Sequence, residues 1–174
     1  MGLSLLNLEM ENVRKIMLEE LELDVGEKRV YKSRYLKESH EGVYINLFKE
    51  SILNGDTDHF ANNISINNCL MSRVPDKKTK SGDRKVPSNA HITLAEGEFN
   101  RFYIRSLCRI AIDQNLDLEI YRAKDVREPR PESEAKIGEK VEPSSLLTNL
   151  KTNPIVHKAL GIPDPNSGLS IKIK

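Results

Sequence analysis

Apolar positions recur at helical spacing through the first third of the chain. Met10, Val13, Met17 and Leu21 fall on one side of a segment from about Leu8 to Val25, with Glu and Lys between them and Gly26 placed to stop it. A KRVYKSRYL connector follows, after which Ser39 is positioned to cap a second helix whose stripe is Val43, Tyr44, Leu47, Phe48 and Ile52, ending at Asn54-Gly55. Asp56 or Thr57 can cap one more helical turn from Phe60 to Asn63, and ISINNCLMSRV then has alternating, β-branched character.

The strongest local pattern lies at TLAEGEFNRFYIRSLCRIAIDQ, Thr93 to Gln114. Thr93 followed by Glu96 has the spacing of a capping box, so the spacing predicts a helix start there, with Glu98 in the same acidic first turn. Asn100, Ile104, Leu107, Cys108 and Ala111 share one side, and Phe99, Phe102, Tyr103 and Ile110 widen the apolar surface. So broad a surface predicts a helix buried on more than one side. Arg101, Arg105 and Arg109 stack at i, i+4, i+8, which places them within roughly an 80° sector and predicts an outlet toward solvent or a partner.

Asn115 suits the left-handed residue that ends a helix, and LDLEIYR alternates as a strand over Leu116 to Tyr121. Arg122 to Pro143 is polar, and Pro129-Arg130-Pro131 excludes a helix interior or a central strand, so this stretch is expected to wrap over the surface. SSLLTNLK predicts a short helix, Asn153-Pro154 starts another that Gly161 closes, and a turn at residues 163–168 leads into a strand over Leu169 to Ile173. Together these elements predict one α+β domain over 1–174, with N-terminal helices, a buried central helix, a small sheet and extended arms. Its parts are a helical region 1–65, a basic arm 75–91, the central helix and strand 93–122, an extended segment 123–143 and C-terminal helices and strand 144–174.

Composition narrows the functional classes. With 38% hydrophobic and 30% charged residues and no Trp, the core is expected to rest mainly on Leu, Ile and Val. The formal charge of +1 is unevenly spread: residues 1–60 carry −4, residues 61–114 carry +4 and the remainder +1. The basic arm concentrates Lys77, Lys78, Lys80, Arg84 and Lys85 around Ser81-Gly82-Asp83, a composition suited to a hairpin tip or mobile arm. It reads either as a finger for phosphate backbones or an acidic neighbour, or as a solvated loop. The arginine row has three readings, namely phosphate binding, bidentate pairing with another subunit's carboxylates, or internal pairing with Asp117, Glu119 or the PESE segment.

Catalytic signatures are missing from the sequence. His40, His59, His91 and His157 lack zinc-site spacing, and Cys69 and Cys108 form no metal motif and read as core thiols in a reduced setting. There is no phosphate-binding glycine loop, dinucleotide fingerprint or nucleophile elbow, so neither a cofactor nor a metal is expected. The opening apolar run is too short for a signal peptide, and no apolar stretch is long enough to predict a membrane span.

The blocks TLAEGEFNRFYIRSLC, YRAKDVREPRPESEAKIG and PNSGLSIKIK, together with LNLEMENVRKIMLEELELD, resemble an uncharacterised family of bacterial and phage or prophage proteins over most of the chain. That resemblance brings no catalytic residues. It implies a provenance in bacteria and mobile elements and a place in a virion or its assembly. The expectation is therefore a non-enzymatic structural or assembly protein, cytoplasmic or in a virion, associated with a head or connector and partnered by itself or other assembly proteins. A nucleic-acid-binding accessory protein and an enzyme with an unrecognised site are the alternatives.

Overall fold

The computed structural model describes residues 2–162 and 167–174. Three helices form the first third: α1 (Val13–Gly26), α2 (Glu41–Asn54), which follows a single 3₁₀ turn at Glu38–His40, and α3 (Thr57–Ile66). Helix α1 begins later than the apolar spacing predicts, because residues 6–12 turn before it and leave Met10 exposed. Ser39 lies in the 3₁₀ turn and does not cap α2. Asp56 does cap α3, its carboxylate accepting from the His59 amide at 2.8 Å. At the other end of α2, the Arg14 guanidinium donates to the Ile52 and Gly55 carbonyls at 2.7 and 2.9 Å, satisfying acceptors that a helix end leaves open.

The basic arm is a self-paired hairpin of β1 (Arg73–Pro75) and β2 (Asp83–Lys85), with Arg73 opposite Lys85. It leads into α4 (Ala90–Gln114), the longest element. The expected start at Thr93 is corrected: α4 begins at Ala90, where the Pro87-Ser88-Asn89 turn ends, and Thr93 lies one turn inside. Ala90 is buried where it lines the cleft, so the helix extends past its apparent signal. Asn115 ends it in the left-handed region at φ 53°.

Beyond this point come β3 (Leu118–Arg122), a single helical turn α5 (Pro131–Glu134), β4 (Lys140–Val141), α6 (Pro143–Thr152), the short α7 (Val156–Ala159) and β5 (Leu169–Ile173). The second sheet has the order β4-β3-β5, all antiparallel, with Ile120 opposite Ile171. The extended segment 123–143 therefore contributes a helical turn and a sheet edge rather than only wrapping the surface. Glu142 caps α6 by accepting from the Ser144 and Ser145 amides at 3.0 and 2.6 Å. Helix α7 starts two residues after Pro154, with Asn153 bonded to the Ile155 amide instead of capping directly. Of the turn expected at 163–168, residues 163–166 lie outside the described residues. The result is a single α+β domain.

Helix α4 forms the centre, packed against α1, α3, α6 and β5. The core is more aromatic than composition suggests, because all four phenylalanines meet in it. Phe48 stacks on Phe60 at 4.5 Å between ring centroids and meets Phe102 edge-on at 5.4 Å, with Phe99 beside it at 6.2 Å. Among these rings lies a buried ionic cluster. Arg105, fully buried, donates from Nε to Glu20 at 2.9 Å and from Nη1 to Asp24 at 2.6 Å. Two guanidiniums lie over the Phe102 ring, Arg101 at 4.6 Å and Arg105 at 4.7 Å from its centroid.

Removing one member of such a cluster strands the others in a low-dielectric interior. Arg105→Met is expected to cost about 3–5 kcal/mol in urea unfolding, and replacing Glu20, Asp24 and Arg105 together with apolar residues of similar size should recover most of the loss. A single substitution that costs nothing would show that these charges are not desolvated.

Candidate functional site

The three arginines have different fates. Arg105 and Arg101 are buried at 0% and 2% exposure, which overturns the expected outlet to solvent and removes both from anion or partner contact. Arg109 is partly exposed and pairs with Glu19 at 3.0 Å and Glu20 at 3.2 Å. Pairing is thus internal, yet the partners of the row lie on α1 and α4. The expected ones are engaged elsewhere: Asp117 with Lys140, Glu119 with Lys172, and Glu134 of the PESE segment with Arg122. A sequence signal for this existed, since Glu20 and Asp24 occupy the same helical stripe as Val13, Met17 and Leu21.

Glu96 and Glu98, one helical turn further along α4 than a cap requires, are likewise not helix-start residues. Glu96 pairs with Lys124. Glu98 is 3% exposed, and its Oε2 accepts from Arg101 Nη2 at 2.7 Å. Burial raises the Glu98 carboxyl from the usual 4.5 to about 7, with Arg101 opposing the shift and Asp24 reinforcing it. Near it the Tyr44 phenol is fully buried, has no hydrogen-bond partner among the described residues, and is pushed well above its usual range by burial and the Glu98 charge.

Glu98 lines a cleft of about 800 Å³ that opens to the surface. One wall is the connector bearing Tyr31, Ser33 and Tyr35, a second is the first half of α4, and the third is formed around Val126, Ile155 and Leu169. The basic hairpin adjoins this cleft directly. Its anchors are the Leu36–Leu70 bridge, the Met71 amide bonded to the Tyr35 carbonyl at 2.8 Å, and Arg84, which donates to the Tyr35 hydroxyl at 3.1 Å. Arg34 converges on the same hydroxyl at 2.9 Å and lies 4.9 Å above the Tyr35 ring.

Within the hairpin the six cations are used unequally. Arg73 makes a bidentate pair with Asp83 at 2.9 and 2.6 Å, and Arg84 pairs with Asp76 at 3.5 Å. Lys77, Lys78, Lys80 and Lys85 are exposed, and none of their ammonium groups has an ion pair or hydrogen bond among the described residues. Sequence reasoning found these lysines but missed Tyr31, Tyr35 and Arg34, whose proximity depends on the connector crossing the hairpin base.

Cys69 and Cys108 are fully buried free thiols, with burial pushing the Cys108 pKa up to about 12. Among the described residues, no three His, Cys, Asp or Glu side chains come together as a metal site, and no helix is long and apolar enough to cross a membrane. No family model, curated protein or solved structure matches the chain.

Between its unfolded value of 4.5 and about 7, Glu98 holds a proton in the folded chain that the unfolded chain has released. Its contribution to stability therefore falls as pH rises through that window and levels off above it. Glu98→Gln should remove roughly 2–3 kcal/mol of decline between about pH 5 and about pH 8, read from urea unfolding at both pH values. An unchanged pH slope would place the Glu98 carboxyl in water.

Proposed function

We propose that this protein is a polyanion-binding module that engages the phosphate backbone of nucleic acid through the β1–β2 hairpin. The observation that carries this reading is the set of four exposed lysines, Lys77, Lys78, Lys80 and Lys85, without partners among the described residues, on a ribbon anchored at its base by Arg84 and Tyr35. Unpaired ammonium groups on a fixed support release counterions when they meet phosphates, and they do so with little loss of conformational freedom in the backbone that carries them. Arg34, beside the same support, extends the positive surface toward the tyrosines.

A role in assembly, expected from sequence, is the second reading. It is favoured by the hairpin strands pairing only with each other among the described residues, which leaves both ribbon edges open to a strand from another copy. The lysines oppose it, since edge charge is a common device against such pairing.

Changing Lys77, Lys78, Lys80 and Lys85 together to Gln should lower nucleic-acid affinity at least about tenfold near 50 mM salt. It should also reduce the slope of log Kd against log salt by roughly 0.7 for every phosphate of a single strand that the variant no longer neutralises. Fluorescence anisotropy across a salt series reads both. Wild-type affinity and slope in the variant would exclude the hairpin, and light scattering that shows a hairpin-dependent dimer without nucleic-acid binding would favour the second reading.

A further inference from the structure

The cleft beside the hairpin is more apolar than polar, and its volume of about 800 Å³ is that of a small-molecule site. Glu96, which would repel a phosphate, is neutralised by Lys124. On the connector wall Tyr31 is 39% exposed and makes no hydrogen bond among the described residues, whereas Tyr35 already has Arg34 over its ring. Glu98 lines the cleft with Oε2 fixed by Arg101 and Oε1 without a hydrogen bond among the described residues. Pro87 and Asn89, the residues that lead out of β2, form part of the same cleft, so a chain lying along the hairpin arrives at its mouth.

We propose that the cleft receives one unstacked base of a single-stranded nucleic acid whose phosphates lie along the β1–β2 hairpin, with Tyr31 as stacking platform and Glu98 reading an amino-bearing base edge. This rests on the polyanion reading above and adds strandedness and base preference to it. Every base has a π face, so stacking on Tyr31 supplies affinity without sequence. Selectivity comes from Glu98. A carboxylate oxygen accepts from the cytosine N4 amino group, while thymine presents a carbonyl at that position and leaves the buried acceptor unmatched. Arg101 holds the carboxylate in one orientation, which makes the acceptor a fixed feature of the cleft. A base inside a duplex is stacked on both faces and cannot enter without being extruded.

The test is fluorescence anisotropy at about pH 8 with labelled ten-nucleotide oligodeoxycytidine, oligothymidine and a duplex of the same length. At that pH Glu98 carries its charge among Arg101 and Arg105 on its own helix, Asp24 on α1 and Tyr44 on α2. Wild-type protein should bind oligodeoxycytidine about fivefold or more tighter than oligothymidine, and either single strand tighter than the duplex. Tyr31→Ala, an exposed substitution, should weaken both single strands by roughly tenfold. Glu98→Gln, whose amide can donate to thymine O4 as well as accept from cytosine N4, should erase the preference. If both variants bind as wild type does while the lysine variant loses binding, or if the duplex binds as tightly as the single strands, this inference is overturned and the polyanion reading stands. If wild-type protein binds none of the three, the polyanion reading fails as well.

Discussion

The fold depends on one buried encounter, the Arg105 guanidinium between Glu20 and Asp24. Two carboxylates a helical turn apart on α1 meet one planar fork on α4, which admits a single register and rotation of one helix against the other. Burial works against the Arg105 charge, but the hydrogen bonds it donates to Asp24 and Glu20 carry its pKa above the ordinary arginine value. Phe102 adds its ring face to both Arg101 and Arg105, so the cluster is embedded in the aromatic core instead of interrupting it. Arg109, Arg29 and Lys151 close its rim, where Glu20 and Asp24 would otherwise be left with excess negative charge.

That arrangement decides which cations remain for a partner. Two members of an arginine row that looks like an anion site, Arg101 and Arg105, are withdrawn into the core, and the exposed hairpin lysines with Arg34 beside them supply positive charge next to the cleft. It also sets the acid in the cleft. Arg101, placed one turn from Arg105, fixes Glu98 at the cleft wall, so the N-terminal half of α4 serves the core on one side and a binding surface on the other. The N-terminal segment joins two further elements: the Asn7 amide donates to the Tyr103 hydroxyl, and the Asn7 side chain accepts from the Ile173 amide at 3.1 Å. This ties α4 to β5.

Much of the architecture was legible in the sequence. Gly26, Asn54-Gly55 and Asn115 lie at real helix ends: Gly26 is the last residue of α1, Gly55 sits where a Cβ would meet the His59 ring, and Asn115 adopts the left-handed conformation. Helix starts were less legible. Thr93 and Ser39 have cap chemistry but lie inside or before elements whose limits are set by burial of Ala90 and by a 3₁₀ turn. The candidate site was half visible: lysines advertise themselves by composition, whereas Tyr31, Tyr35 and Glu98 join them only through tertiary approach. The arginine row misled because spacing fixes which face a residue occupies and says nothing of what covers that face. Its true partners, Glu20 and Asp24, were readable as carboxylates on an apolar stripe.

The most direct measurement is photo-cross-linking of a single-stranded oligonucleotide carrying 5-iodopyrimidines, followed by mass-spectrometric mapping of the adducts. Adducts on Tyr31 or Tyr35 together with peptides covering residues 73–85 are the expected result, because base and backbone would then occupy neighbouring surfaces. Adducts confined to α3 or α6, or none above the level seen with a duplex, would contradict a nucleic-acid site at the hairpin and cleft.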